Sequence, residues 1–278
     1  MAAGRKLRSL ELLSRRRVEL DKSPVWWPAP EWREAWSPDQ RLCAQITHFA
    51  DVMSRQSDAF MDYEAGHGAM IDPAAADAIM ANCRLLGDIA EREPSLIVGP
   101  VQARRQHWTR TGRNALPSGE IQAPRETEFI VPSSALEHKP GIKPFHLGLY
   151  TSTATSIGCS MWKVLFGPRG SMIYPRPWYT WELEVDRDVK VAEIRGATEW
   201  VEFVRTRARI SDGVVRPDWA RIAREFDGIH VTLPLIAAAQ GFHFNTAHGV
   251  IPPAFWDVET TFWVRWCFSS SRLVEAVK

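Results

Sequence analysis

The sequence is poor in cysteine: Cys43, Cys83, Cys159 and Cys267 are scattered along 278 residues with no CxxC spacing. That argues against a zinc ribbon or a disulfide framework and points to reduced thiols of a cytoplasmic protein. Long apolar runs are missing too, so no stretch reads as a membrane span. The N-terminal MAAGRKLRSLELLSRRR has neither the continuous apolar segment nor the small-residue cleavage site of a secretory signal. Charge of one sign is not in excess. The formal net charge is +1, so contact with nucleic acid has to come from a local patch, such as Arg15, Arg16 and Arg17 or the basic RRQHWTRTGR stretch. Several catalytic signatures are absent as well. No GxGxxG follows a strand, there is no GxxxxGK[ST] and no HExxH, and GCSMW fails the last position of GxSxG. His243 and His248 are bordered by Gly241 and Gly249 and read as a loop, and no metal is expected.

What the chain does have is tryptophan, 13 in all, four of them (Trp26, Trp27, Trp32, Trp36) in VWWPAPEWREAW. Rings in that number are for packing. Residues 4–20 read as an amphipathic helix. A second helix opens at SPDQ, with Ser37 as cap and Pro38 at its first position. A third runs through DPAAADAIMANCRLLGDIAERE from Asp72. Beyond residue 95 the texture changes. SLIVGPV and TEFIVPS read as short strands around a polar, turn-rich RRQHWTRTGRNALPSGE loop. WYTWELEV, VKVAEI, GIHVTL, ETTFWVRWCF and RLVEAV read as further strands. TEWVEFVRTRA, capped by Thr198, and PDWARIAREF read as helices. The expected class is α+β, with a mainly helical region at 1–95 and a mixed-sheet domain at 96–278.

Two segments carry the chemistry. In HLGLYTSTATSIGCSMW a strand ends on Tyr150, followed by the hydroxyls of Thr151, Ser152 and Thr153 and a small-residue path to Trp162. A tyrosine there offers a flat apolar face with a polar edge, and the hydroxyls both donate and accept without charge. In FWDVETTFWVRW, Asp257 and Glu259 are two apart and share one side of a strand with Thr261. Such a carboxylate either pairs with an arginine, Arg265 or another, or serves chemistry. His230, in GIHVTL, reads as a hydrogen-bonded core histidine within reach of that strand.

Together these segments resemble the mono-ADP-ribosyltransferase superfamily. GLYTST is similar to its Ser-Thr-Ser strand and to the Gly-x-Tyr strand of the poly-ADP-ribose-polymerase-like branch. DVETTFW is similar to the [Gln/Glu]-x-Glu strand, with Asp257 one methylene shorter than the first residue of that motif. The resemblance implies a split mixed β-sheet and NAD as a consumed substrate. Glu259, with Asp257, would be catalytic. Tyr150 would stack on nicotinamide, and Trp162 would close the pocket. Ser152 or Thr153 would hold the carboxamide or support Glu259, with Thr151 beside them. Arg105 or His107, or His146 in their place, would contact the dinucleotide. It also implies a protein or nucleic-acid acceptor, or water in a glycohydrolase. The helical N-terminal region would be a targeting module, a lid or a docking surface for an inhibitor or antitoxin protein. The competing expectation is a module that binds protein or nucleic acid without catalysis.

Overall fold

The computed structural model describes residues 2–21, 37–60, 69–112, 121–133, 147–159, 161–162, 164–166, 174–186, 188–254 and 256–278. The tryptophans of the VWWPAPEWREAW stretch and His146 lie outside them. The chain is mixed α and β. Helix α1 (Ala2–Asp21) covers the expected amphipathic segment. Arg15 pairs with Glu11 and Arg17 with Asp21, while the buried Arg16 donates to the carbonyls of Ala237 and Gln240. Helix α2 (Pro38–Phe60) starts with a reciprocal cap. Gln40 N–H donates to Ser37 Oγ at 3.2 Å, and Ser37 N–H donates to Gln40 Oε1 at 2.8 Å.

The third expected helix is two. Asp72 caps α3 (Pro73–Ala81) as expected, but Asn82 ends it by turning its side chain back to Ala78 O, and Cys83 is extended before α4 (Arg84–Arg92). SLIVGPV is not a strand either. Pro94 takes the helical region, a single helical turn follows (α5, Ser95–Val98), and Gly99 leaves it at φ 70°.

Two sheets follow. The larger has seven strands in the order β12-β4-β2-β3-β11-β8-β5. These are β2 (Gln106–Thr111), β3 (Leu149–Thr153), β4 (Trp178–Val185), β5 (Val191–Ile194), β8 (Gly228–Val231), β11 (Thr260–Trp263) and β12 (Phe268–Val277). All neighbours are antiparallel except β5 and β8. Strand β2 corrects the loop expected at 104–120. Several of its polar residues find partners on neighbouring strands, as when Thr109 meets Thr180 at 2.9 Å. TEFIVPS, expected as a strand, holds a 3₁₀ turn at Glu126–Glu128 and no described strand.

The smaller sheet is β1-β9-β10-β7-β6, from β1 (Ala69–Met70), β6 (Ala208–Ser211), β7 (Val214–Pro217), β9 (Phe242–Thr246) and β10 (Gly249–Ile251). His243 therefore lies on a strand, not in a loop. Asp212 and Gly213 turn β6 into β7 with positive φ at both positions, the torsions of a two-residue hairpin. Helix α6 (Ala197–Thr206) is capped from a distance instead of by Thr198. Asp77 of α3 accepts from the N–H groups of Ala197 and Thr198 at 2.6 and 2.9 Å. Helices α7 (Trp219–Glu225) and α8 (Leu233–Ala239) flank β8 in sequence.

The larger sheet separates two apolar layers. Phe262, Ile229, Val231 and Ile194 join one core with the N-terminal helices and the smaller sheet, from Leu13 to Val264. Trp181, Leu183, Trp263 and Phe268 form the layer on the other face. The N-terminal helices thus share their core with the sheets.

Candidate functional site

Strand register decides which predicted site residues meet. Thr261 pairs with Thr151 and with His230, Phe262 pairs with Tyr150, and Glu193 pairs with His230. Paired residues point to the same face, and faces alternate along a strand. Glu259, Thr151, Thr153, His230 and Glu193 therefore share the face of Trp263. Tyr150, Ser152 and His107 occupy the opposite face, with Phe262.

On the Glu259 face a hydrogen-bond chain crosses five strands. Trp263 Nε1–H donates to Thr151 Oγ1 at 2.7 Å, and Thr151 donates to Gln106 Oε1 at 2.5 Å. Gln106 Nε2 donates to Thr153 Oγ1 at 3.3 Å. Thr153 then holds Glu259 twice, its N–H on Oε2 and its hydroxyl on Oε1, both at 2.8 Å. His230 Nε2 lies 2.9 Å from Glu259 Oε1, and its Nδ1 lies 2.5 Å from Glu193 Oε2. Val101 N–H closes the chain on Glu193 Oε1 at 2.8 Å.

Glu259, His230, Thr151 and Thr153 have no exposed surface. Burial alone pushes His230 down, but the hydrogen bonds and charges of Glu193 and Glu259 more than offset it, and the imidazole is pushed up to about 9. It is an imidazolium at neutral pH that donates from both nitrogens. Burial pushes Glu193 up, and the hydrogen bond and charge of His230 together bring it below its ordinary value. Two carboxyl groups, those of Glu193 and Glu259, thus flank one imidazole inside the protein. A carboxylate offers about four lone-pair directions. Among the described residues three donors reach Glu259.

Among the described residues no arginine pairs with Glu259. Arg265 instead binds Asp227 at 3.1 Å and the carbonyl of Ala223. Asp257 accepts from Gln240 Nε2 at 3.2 Å, just ahead of β11. On the other face Tyr150 stacks on Phe262, with centroids 4.5 Å apart, and Trp256 sits at 6.2 Å. Burial pushes its phenol well above the usual tyrosine range. This corrects the expectation of a single cleft. Tyr150 and Glu259 leave the sheet on opposite faces, and Tyr150 gives a ring face to Phe262, so it does not stack on a nicotinamide held at Glu259.

Ser152 and His107 are register partners on the Tyr150 face. His107 Nε2 lies 3.8 Å from Glu182, and burial lowers its basicity despite that charge. His107 Nδ1 and Ser152 Oγ, both buried, have no hydrogen-bond partner among the described residues. Ser152 thus does not support Glu259; Thr153 does. Arg105 pairs with the buried Glu93 at 3.8 Å. Trp162 lies 5.9 Å from Phe166, which in turn meets Trp178.

The sequence reading missed Glu193 and Gln106 altogether; His230 is the hydrogen-bonded core histidine it expected, with Glu193 and Glu259 as its partners. The available signal was a single polar residue in the middle of an otherwise apolar short strand, Glu193 in VAEI and His230 in GIHV. Comparison with models of protein families, with curated proteins and with solved structures gives no match.

Proposed function

We propose that the chain is an NAD-dependent ADP-ribosyltransferase. It breaks the bond between nicotinamide and ribose and passes ADP-ribose to a protein or nucleic-acid acceptor. The observation that carries this reading is the way Thr153 and His230 hold Glu259 across β3, β11 and β8. Cleavage of that bond builds positive charge on the ribose, as in glycoside hydrolysis. A carboxylate fixed in advance by N–H and O–H donors stabilises such charge without reorganising. In this scheme Glu259 faces the ribose, Thr153 and His230 orient it, and Glu193 balances His230. The acceptor then attacks the ribose carbon as nicotinamide leaves; with water as acceptor the enzyme is a glycohydrolase. Tyr150 has a packing role here. Because Glu259 is enclosed, the dinucleotide reaches it only when the chain covering it withdraws.

One observation favours a second reading. Glu259 and His230 have no exposed surface and Tyr150 is stacked within the core, the pattern of polar groups that only hold a sheet together. The chain is then a protein- or nucleic-acid-binding module. Incubation of the purified protein with NAD separates the two. Nicotinamide release marks an enzyme, and its absence from wild-type protein with and without cell lysate refutes the first reading. Labelled NAD in lysate, treated afterwards with protease or nuclease, identifies the acceptor class, and release without any labelled macromolecule identifies the glycohydrolase.

A further inference from the structure

The fold brings together two of the four scattered cysteines. Cys43 lies in the second turn of α2, and Cys159 ends the turn that follows β3. Their sulfurs are 3.4 Å apart although 116 residues separate them in sequence, and both residues are partly exposed. Neither backbone is loose. Thr155 and Cys159 close their turn with a reciprocal pair of bonds, Thr155 N–H to Cys159 O at 3.0 Å and Cys159 N–H to Thr155 Oγ1 at 2.9 Å. On the other side Thr47 Oγ1 donates to Cys43 O at 2.7 Å within the helix.

We infer that Cys43 and Cys159 are a redox-active pair that a peroxide converts into a disulfide joining α2 to the turn after β3. A disulfide bond is about 2.05 Å long, so the sulfurs need to close by only roughly 1.4 Å, within reach of side-chain rotation. The chemistry balances with hydrogen peroxide as oxidant. One thiolate attacks a peroxide oxygen, forming a sulfenic acid and releasing water once a proton is taken up. The second thiol then displaces the hydroxyl as the S–S bond forms and a second water leaves. Two thiols are oxidised and one peroxide is reduced.

Cys83 and Cys267 are different. Burial pushes their thiols up to about 11 and about 12, so neither is a thiolate near neutral pH. The bond would fasten the helical layer to the end of the strand whose Thr153 holds Glu259, but the inference rests on the sulfur geometry alone and not on the functional reading.

The test treats the folded full-length protein with hydrogen peroxide, blocks remaining thiols by alkylation, and digests it without reductant for mass spectrometry. The expected result is a cross-linked peptide pair containing Cys43 and Cys159, lighter by two hydrogens and separated by dithiothreitol. The link persists in a Cys83→Ser, Cys267→Ser double variant and is lost in Cys43→Ser. The inference is overturned if both residues remain alkylatable after peroxide. It is overturned equally if each is oxidised singly to sulfinic acid, or if the link joins other cysteines. The wild-type digest decides among these without needing any variant to fold.

Discussion

The buried imidazolium gives the account its most quantitative consequence, a fall in stability through mildly alkaline pH. His230 is raised from 6.5 to about 9 in the folded chain. The folded state therefore holds a proton that the unfolded state releases near 6.5. The stabilisation is fully present below about pH 6.5 and is lost as pH rises through about 9. Each unit is worth about 1.4 kcal/mol, so the complete loss is about 3 kcal/mol and the part between pH 7 and 8.5 is roughly 2 kcal/mol. Other shifted groups act outside this window. His107 and His243 are lowered, so their contribution changes below the ordinary histidine value. Cys83 and Cys267 are raised from 9.0, so theirs is lost only above about pH 9. Urea unfolding at half-unit steps from pH 6.5 to 8.5 reads the effect as a falling midpoint at constant slope. His230→Gln removes the pH dependence while lowering stability throughout. A wild-type midpoint that is flat or rises across the window, or an equal fall in His230→Gln, refutes the reasoning.

The two hydroxyls on either face of β3 make a paired contrast. Thr153→Val removes a donor to a carboxylate and should cost about 1.5–3 kcal/mol. Ser152→Ala removes a buried oxygen with no partner and should be neutral or stabilising in the same urea assay. A cost above about 1 kcal/mol for Ser152→Ala would mean that its hydroxyl is bonded. Tyr150→Ala should cost about 3–5 kcal/mol, as expected for loss of a buried ring, because it opens the stack against Phe262. A stable Tyr150→Ala protein with weakened NAD binding would restore the ligand-stacking role that the register removes.

Much of the fold was legible where a local rule acts alone. Ser37 before Pro38 and Asp72 before Pro73 mark helix starts because a side-chain oxygen meets an orphan N–H within three residues. The break at Asn82 was hidden because apolar spacing continues through Cys83, Leu86 and Ile89 while the backbone does not. Strand β2 was hidden for the opposite reason. Its residues QHWTRT look like loop until Gln106 finds Thr151 and Thr153, and Thr109 finds Thr180, on strands distant in sequence. Asp212-Gly213 was a readable hairpin signal that passed unused.

The site was half legible. Glu259 and Thr153 were singled out, and they do meet. What sequence spacing cannot supply is the register between strands, and a one-residue offset sends a side chain to the other face. Register puts Tyr150 opposite Phe262, and so on the far side of the sheet from Glu259. The partner of Glu259 proved to be a histidine two strands from Thr153, positioned by its own pairing with Glu193.

The claim that Glu259 is the carboxylate at the ribose is tested most directly by nicotinamide release from NAD, comparing wild type with Glu259→Gln. Far-ultraviolet circular dichroism establishes that both are folded. The account predicts release by wild type and a drop of about two orders of magnitude or more in the variant. Equal release by two folded proteins, or none by wild type, would contradict it.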